Sequence, residues 1–128
     1  MTNHYDMKKG LETLEKLNQR KIDPTANKSA LSDLTVGYLF ADVWNRPGLT
    51  HQQRSMITCT VLATMGLEEN LKSHLNIACN LGIPKTELEE MLVQVSHYAG
   101  WSTGHNGLRI LEELLADRAA ADAKKNHD

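Results

Sequence analysis

Cysteine and proline are both scarce in this 128-residue chain, and no charge sign dominates it. The two cysteines, Cys59 and Cys79, lie far apart. A redox dithiol or a thiolate zinc knuckle needs close Cys-x-x-Cys spacing, so neither is present, and both thiols read as small apolar residues. The three prolines, Pro24, Pro47 and Pro84, fall where helical patterns stop. Fourteen basic residues face sixteen acidic ones, a formal net charge of −2. That balance gives no general reason to bind nucleic acid or an anionic membrane. No apolar run approaches the roughly 20 residues that span a bilayer. The first residues, Met1-Thr2-Asn3-His4-Tyr5-Asp6, lack the charged and apolar regions of a secretory signal, so the expected location is the cytoplasm. Strand patterning is missing too. No stretch alternates with period two, and Asn106-Gly107 is not a hairpin signal because a helical pattern continues beyond it.

What is present is helical punctuation. The length allows one domain over residues 1–128 with a modest core, at 41% hydrophobic content. Leu11, Leu14 and Leu17 predict a first helix over about residues 4–18. A polar linker containing Pro24 follows. Leu31, Leu34, Tyr38, Ala41 and Trp44 predict a second helix over about residues 29–44, ended by Arg46-Pro47-Gly48. Thr50-x-x-Gln53 fits a capping box at the head of a third helix. Residues 56–65 are then almost wholly apolar, which predicts the central, most buried helix, ended by Gly66. A fourth helix is expected over about residues 67–81, closed by Gly82 and Pro84. Thr86-x-x-Glu89 looks like a second capping box, opening a fifth helix with the stripe Leu88, Met91, Leu92, Val95 and Tyr98. Gly100 breaks the pattern, and a last helix runs from about Thr103. The core is expected over about residues 29–118, with a frayed tail over 124–128.

The residues with chemical potential gather in residues 44–108. His74 lies three residues after Leu71 and four before Ala78, on the apolar face of the fourth helix. It is either a core histidine bonded to a carbonyl or a partly buried proton donor. Arg46 and Arg54 flank the start of the third helix. They are either solvated surface charges or a planar fork for a carboxylate, helped by the partial positive charge of the helix N-terminus. Tyr98, Trp101, His105 and Asn106 cluster around the Gly100 break, as core residues, caps or pocket walls. Cys59 has no histidine as a helical neighbour, so it reads as core. A metal site built on His74, His105 and a carboxylate has no supporting ligand spacing, and none is expected.

Taken in order, these residues resemble the carboxymuconolactone decarboxylase family, within the all-helical superfamily shared with alkylhydroperoxidase D. The resemblance covers about residues 31–114. It is carried by Trp44-x-Arg46-Pro47-Gly48-Leu49, Arg54 with Ile57-Thr58, Leu71-x-x-His74, Asn80-x-Gly82, Glu89-Glu90 and Tyr98-Ala99-Gly100. The Arg-Pro-Gly-Leu turn resembles the decarboxylase branch, and the peroxidase branch's Cys-x-x-Cys pair is missing. Three positions depart from the family pattern: Asn70 where a glutamate is frequent, Ser102 where proline is frequent, and His105 where a small, apolar or amide residue is common. The resemblance implies an all-α fold of about six helices, an alkylhydroperoxidase D-like bundle assembled as a homohexamer of three dimers. It implies a cofactor-independent carboxy-lyase of aromatic-compound catabolism, acting on a small carboxylated lactone or related acid. His74 would be the catalytic proton donor. Arg46, Arg54, Tyr98, Trp101, His105 and Asn106 would bind substrate. Two other readings stay open: a non-catalytic, oligomeric binder of small ligands, and a thiol peroxidase-like protein using Cys59 or Cys79.

Overall fold

In the computed structural model, which describes residues 5–26 and 28–126, six α-helices carry the chain, and no strand occurs among the described residues. The expected first position of the first helix, His4, and the last two tail positions lie outside the described residues. Two compact units divide at Arg54 and Ser55.

In the first unit, α1 (Met7–Asn18) starts where the Asp6 carboxylate accepts the Lys9 amide at 3.0 Å. Its buried face is Gly10, Thr13 and Leu17, not the Leu11–Leu14–Leu17 stripe that spacing suggested. Gly10 decides this. A Cβ there would lie 1.6 Å from the Val36 carbonyl oxygen, so a bare backbone lets the next segment approach. The expected long second helix breaks up. A short α2 (Ala30–Leu34) is capped by Ser29, then gives way to a π-helical turn over Thr35–Leu39. A 3₁₀ turn over Val43–Asn45 follows. In this setting Phe40 N–H reaches back five residues to the Thr35 carbonyl at 3.0 Å. The π turn rotates the stripe, so Leu31 and Tyr38 are exposed while Phe40, Ala41 and Trp44 are buried. Phe40 and Trp44 stack at 5.4 Å. Arg46 is extended, as a residue before proline tends to be.

The helix α3 (His51–Met65) opens with the capping box its sequence announces. Gln53 N–H donates to Thr50 Oγ1 at 3.1 Å, and Thr50 N–H donates to Gln53 Oε1 at 2.9 Å. Beyond Arg54, α3 belongs to the second unit with α4 (Glu68–Asn80), α5 (Lys85–Ala99) and α6 (Trp101–Lys125). Gly66 at φ 70° and Gly82 at φ 84° end α3 and α4 in the left-handed region that glycine adopts without strain. The second expected capping box does not form. Pro84 is the N-cap and makes no side-chain cap, so α5 starts ahead of Thr86. Proline's fixed φ and missing N–H suit that place better than a Thr hydroxyl further in.

α6 packs along both α4 and α5. The shared core includes Cys59, Leu71, Leu75, Leu88, Ile110 and Leu111, all at most 2% exposed. Each fully buried leucine contributes about 1.5–3 kcal/mol of transfer free energy. Gly104 and Gly107 let α6 approach α5. A Cβ on Gly104 would meet Ser96 Oγ at 1.6 Å, and one on Gly107 would meet a Leu92 methyl at 2.6 Å. The α3 expectation needs correction. Only Ser55, Cys59 and Ala63 are buried, while Ile57, Val61 and Met65 are 50–65% exposed. The helix therefore buries one four-residue-spaced edge and leaves an opposite apolar edge uncovered in the single chain.

Candidate active site

The arginine turn belongs to the first unit. Its local geometry follows from Asn45. The Asn45 amide nitrogen lies 2.9 Å from Thr13 Oγ1, 3.1 Å from the Phe40 carbonyl and 3.0 Å from the Ala41 carbonyl. Its oxygen lies 3.2 Å from His51 Nε2. The turn that carries Arg46 is thereby tied to α1 behind it and to the head of α3 in front. Arg54, in the first turns of α3, donates from Nη2 to the Arg46 carbonyl at 3.1 Å. Both arginines therefore belong to one turn, as their spacing around Pro47-Gly48 suggested. The Arg46 side chain is largely exposed and pairs with Asp42 at 3.9 Å, a loose surface contact that leaves its guanidinium available. Beneath the turn, Trp44 is buried and its ring lies 6.1 Å from that of His51. The arrangement offers planar, permanently charged donors beside a helix N-terminus, a setting suited to a carboxylate.

The remaining candidates belong to the second unit. His74 is half-buried on α4, between the buried Leu71 and Leu75. Burial pushes its imidazole below the ordinary histidine range, so the ring is neutral at pH 7. Asn106 and Arg109 of α6 hold the first turn of α4. Arg109 Nη2 lies 2.9 Å from Glu68 Oε1 and 2.8 Å from Asn106 Oδ1, and Asn106 donates to Glu68 at 3.2 Å. The Arg109 hydrogen bond, then that of Asn106, holds the Glu68 carboxyl below the usual carboxylate range. Asn106 thus has a structural engagement that its sequence position did not reveal.

Trp101 and His105 share a groove of about 360 Å³ between α5 and α6. His97 joins them. Its ring meets Trp101 edge-on at 5.4 Å, and Trp101 meets His105 at 6.0 Å. The stack crosses Gly100, whose φ of 120° separates the two helices. Spacing by four could have found His97, but Gly100 read as a full stop. Glu89, Glu90 and Glu112 also line this groove. Tyr98 is 85% exposed, against its expected place in the α5 core stripe, because that stripe ends at Val95. It lines a different cavity, about 420 Å³, with Thr60, Val61 and Met65 of α3. A larger cavity of about 650 Å³ adjoins it through Thr60 and Gln94, with Met56, Ile57, Thr86 and Met91 in its walls. None of these three cavities is lined by His74. Sequence reasoning missed Thr60 and Gln94, the polar residues that line both cavities; Thr86, Glu87 and Glu90 line the larger one and Thr64 the smaller.

Cys59 is fully buried, as expected of a core residue. Burial pushes its thiol up to about 12, and the Ser55 hydroxyl offsets only part of that. Burial also raises the Cys79 thiol, partly countered by Arg118. Neither is a thiolate at neutral pH.

Comparison with known proteins accords with this anatomy. The profile of the carboxymuconolactone decarboxylase family matches residues 30–113. Over 91 residues the chain is 36% identical to 4-carboxymuconolactone decarboxylase of Acinetobacter baylyi, spanning 71% of this chain and 68% of that enzyme. Over 85 residues it is 25% identical to nitrosuccinic acid decarboxylase of Metarhizium robertsii, spanning 66% of this chain and 59% of that protein. With its all-helical fold and its arginine turn, the chain belongs to the carboxymuconolactone decarboxylase family.

Proposed function

We propose that this protein is a cofactor-independent carboxy-lyase acting on a small acid that carries its own electron sink. The observation that carries the reading is the arginine turn, which falls inside the stretch matching decarboxylases. The names of the two relatives define a common chemistry. The two named acids, a carboxylated unsaturated lactone and a nitro-substituted diacid, each carry a group, carbonyl or nitro, able to accept the electron pair that departing CO₂ leaves behind. In that step the C–CO₂ bond breaks and its electron pair enters the sink. CO₂ departs, and one proton is added at carbon. We assign carboxylate capture to Arg46 and Arg54, because a fixed fork binds such a group in two-point fashion. We assign the proton step to His74. Its ring starts neutral at pH 7, so it must take up a proton as the polyanionic substrate binds and then deliver it to carbon.

Trp101 and His105 share their groove with three glutamates, which repel an anion, and Asn106 is held by Glu68 and Arg109. We therefore leave these three out of the carboxylate contacts. Tyr98 lines the smaller cavity beside α3 instead. A thiol peroxidase is disfavoured by the protonated, buried Cys59. We further propose a cytoplasmic homohexamer of three dimers serving aromatic-compound catabolism; the uncovered apolar edge of α3 supports assembly. The test is CO₂ release from 4-carboxymuconolactone and from nitrosuccinate. His74→Gln should lower kcat by roughly 10² to 10⁴ with smaller change in KM. Saturable binding of either acid without CO₂ release would make the protein a binder, and an undiminished kcat in His74→Gln would make this residue structural.

A further inference from the structure

The geometry points to Asn45 and His51 as positioning residues for carboxylate capture, setting where the guanidinium groups of Arg46 and Arg54 stand. The inference rests on the reading that these arginines hold the substrate carboxylate. Its basis is the hydrogen-bond logic around the Asn45 amide. The Thr13 hydroxyl donates its one proton to the Lys9 carbonyl at 3.1 Å, so it can only accept from Asn45. The Phe40 and Ala41 carbonyls also only accept. Three acceptors thus surround one end of the amide, which must be its NH₂. The oxygen is then the end that faces His51, and His51 Nε2 must carry a hydrogen to bond with it. The orientation of the side chain and the protonated nitrogen of the ring follow from the same network.

That network links three elements within one unit. Thr13 is on α1, Phe40 and Ala41 follow the π turn, and His51 is the first residue of α3. Asn45 is the residue immediately before Arg46. The carbonyl of Arg46 in turn receives Arg54 Nη2. Fixing Asn45 therefore fixes the peptide on which Arg46 is borne and the acceptor that orients Arg54. Neither Asn45 nor His51 needs to touch the substrate. Asn45→Asp keeps the shape but places a carboxylate against three acceptors. His51→Ala removes one donor and keeps the rest. His51→Gln restores an N–H donor of nearly the same reach.

The experiment measures kcat and KM on 4-carboxymuconolactone, with the Kd of succinate by calorimetry as a turnover-free probe. It uses wild type, Asn45→Asp, His51→Ala, His51→Gln and Arg54→Lys, each checked for folding by circular dichroism. We expect Asn45→Asp and His51→Ala to raise KM and the succinate Kd roughly tenfold, kcat changing less than threefold, because a misplaced fork loses its two-point contact. His51→Gln should recover most of that loss. A residue that only stabilises the fold would lower the melting temperature and leave both constants alone. If Asn45→Asp does not fold, the two His51 variants decide. Weakened binding in Arg54→Lys alongside unchanged constants in folded His51→Ala would overturn the positioning role. Unchanged constants in Arg54→Lys itself would instead overturn carboxylate capture by the arginines.

Discussion

His74 shows how one side chain can read as core and as chemistry at once. It sits between Leu71 and Leu75 on α4, and burial holds its pKa below the ordinary value near 6.5. The consequence for stability has a definite sign. In the unfolded chain the imidazole protonates as pH falls through about 6.5, while in the folded chain it stays neutral to lower pH. Its contribution to stability is therefore intact above that value and is lost as pH drops from there towards the folded-state pKa. We expect the wild-type melting temperature to fall over this acid window. His74→Gln, which lacks the group, should show a shallower acid slope. Parallel slopes for the two proteins would remove His74 as the source. The thiols give a second residue-scale prediction. With Cys59 near 12 and Cys79 also raised, native protein should react with a disulfide reagent at pH 8 far more slowly than protein unfolded in guanidinium. Exchanging both for alanine should leave decarboxylation largely intact.

At the scale of elements, what spacing predicts and what packing selects differ most in the first unit. Leucines every third position suggested which face of α1 is buried, yet the face that packs runs through Gly10 and Thr13. The deciding contact is the Val36 carbonyl lying where a Gly10 side chain would begin. Alanine is the better helix former by about 1 kcal/mol. Gly10→Ala should nonetheless destabilise by about 1–3 kcal/mol, because the obstruction is backbone that cannot rotate away. Urea denaturation at fixed protein concentration measures it, and a neutral or stabilised variant would show that α1 and the π turn can separate at no cost. The same π turn explains why one predicted second helix became α2, a π segment and a 3₁₀ turn. Capping signals varied in reliability for a related reason. Thr50-x-x-Gln53 forms its reciprocal pair, whereas Thr86-x-x-Glu89 is bypassed because Pro84 already starts α5.

For the molecule as a whole, the feature to account for is the apolar surface that a single chain leaves bare. Ile57, Val61 and Met65 form a four-residue-spaced edge on α3, and Tyr98 lies across the adjoining cavity. A solitary soluble chain seldom keeps such a connected patch. Sedimentation velocity at micromolar concentration should show a stable assembly, with a hexamer as the expected species. Val61→Lys should shift it towards smaller species, since a charge on this uncovered edge would have to be desolvated on assembly. A monomer in the wild type would overturn the assembly.

Patterning alone determined the helical class, the approximate extents of α3 to α6, the arginine turn with its capping box, and the core places of Cys59, Leu71 and Leu88. These are local properties, written in periodicity, in Pro and Gly at helix ends, and in side chains that bond their own backbone. The family resemblance was legible because its motifs sit on those same local features. Tertiary structure decided the rest. It chose the buried face of α1 through a backbone contact at Gly10 and broke the second helix at the π turn. It gave Asn106 to Glu68 and Arg109, and Tyr98 and Trp101 to different cavities. It also made Asn45 the hub of the arginine turn, through Thr13, a partner thirty-two residues away in sequence. Periodicity reports which side of an element is apolar, but not which neighbour arrives there or how closely. Those depend on contacts between residues remote in the chain, which no local pattern encodes.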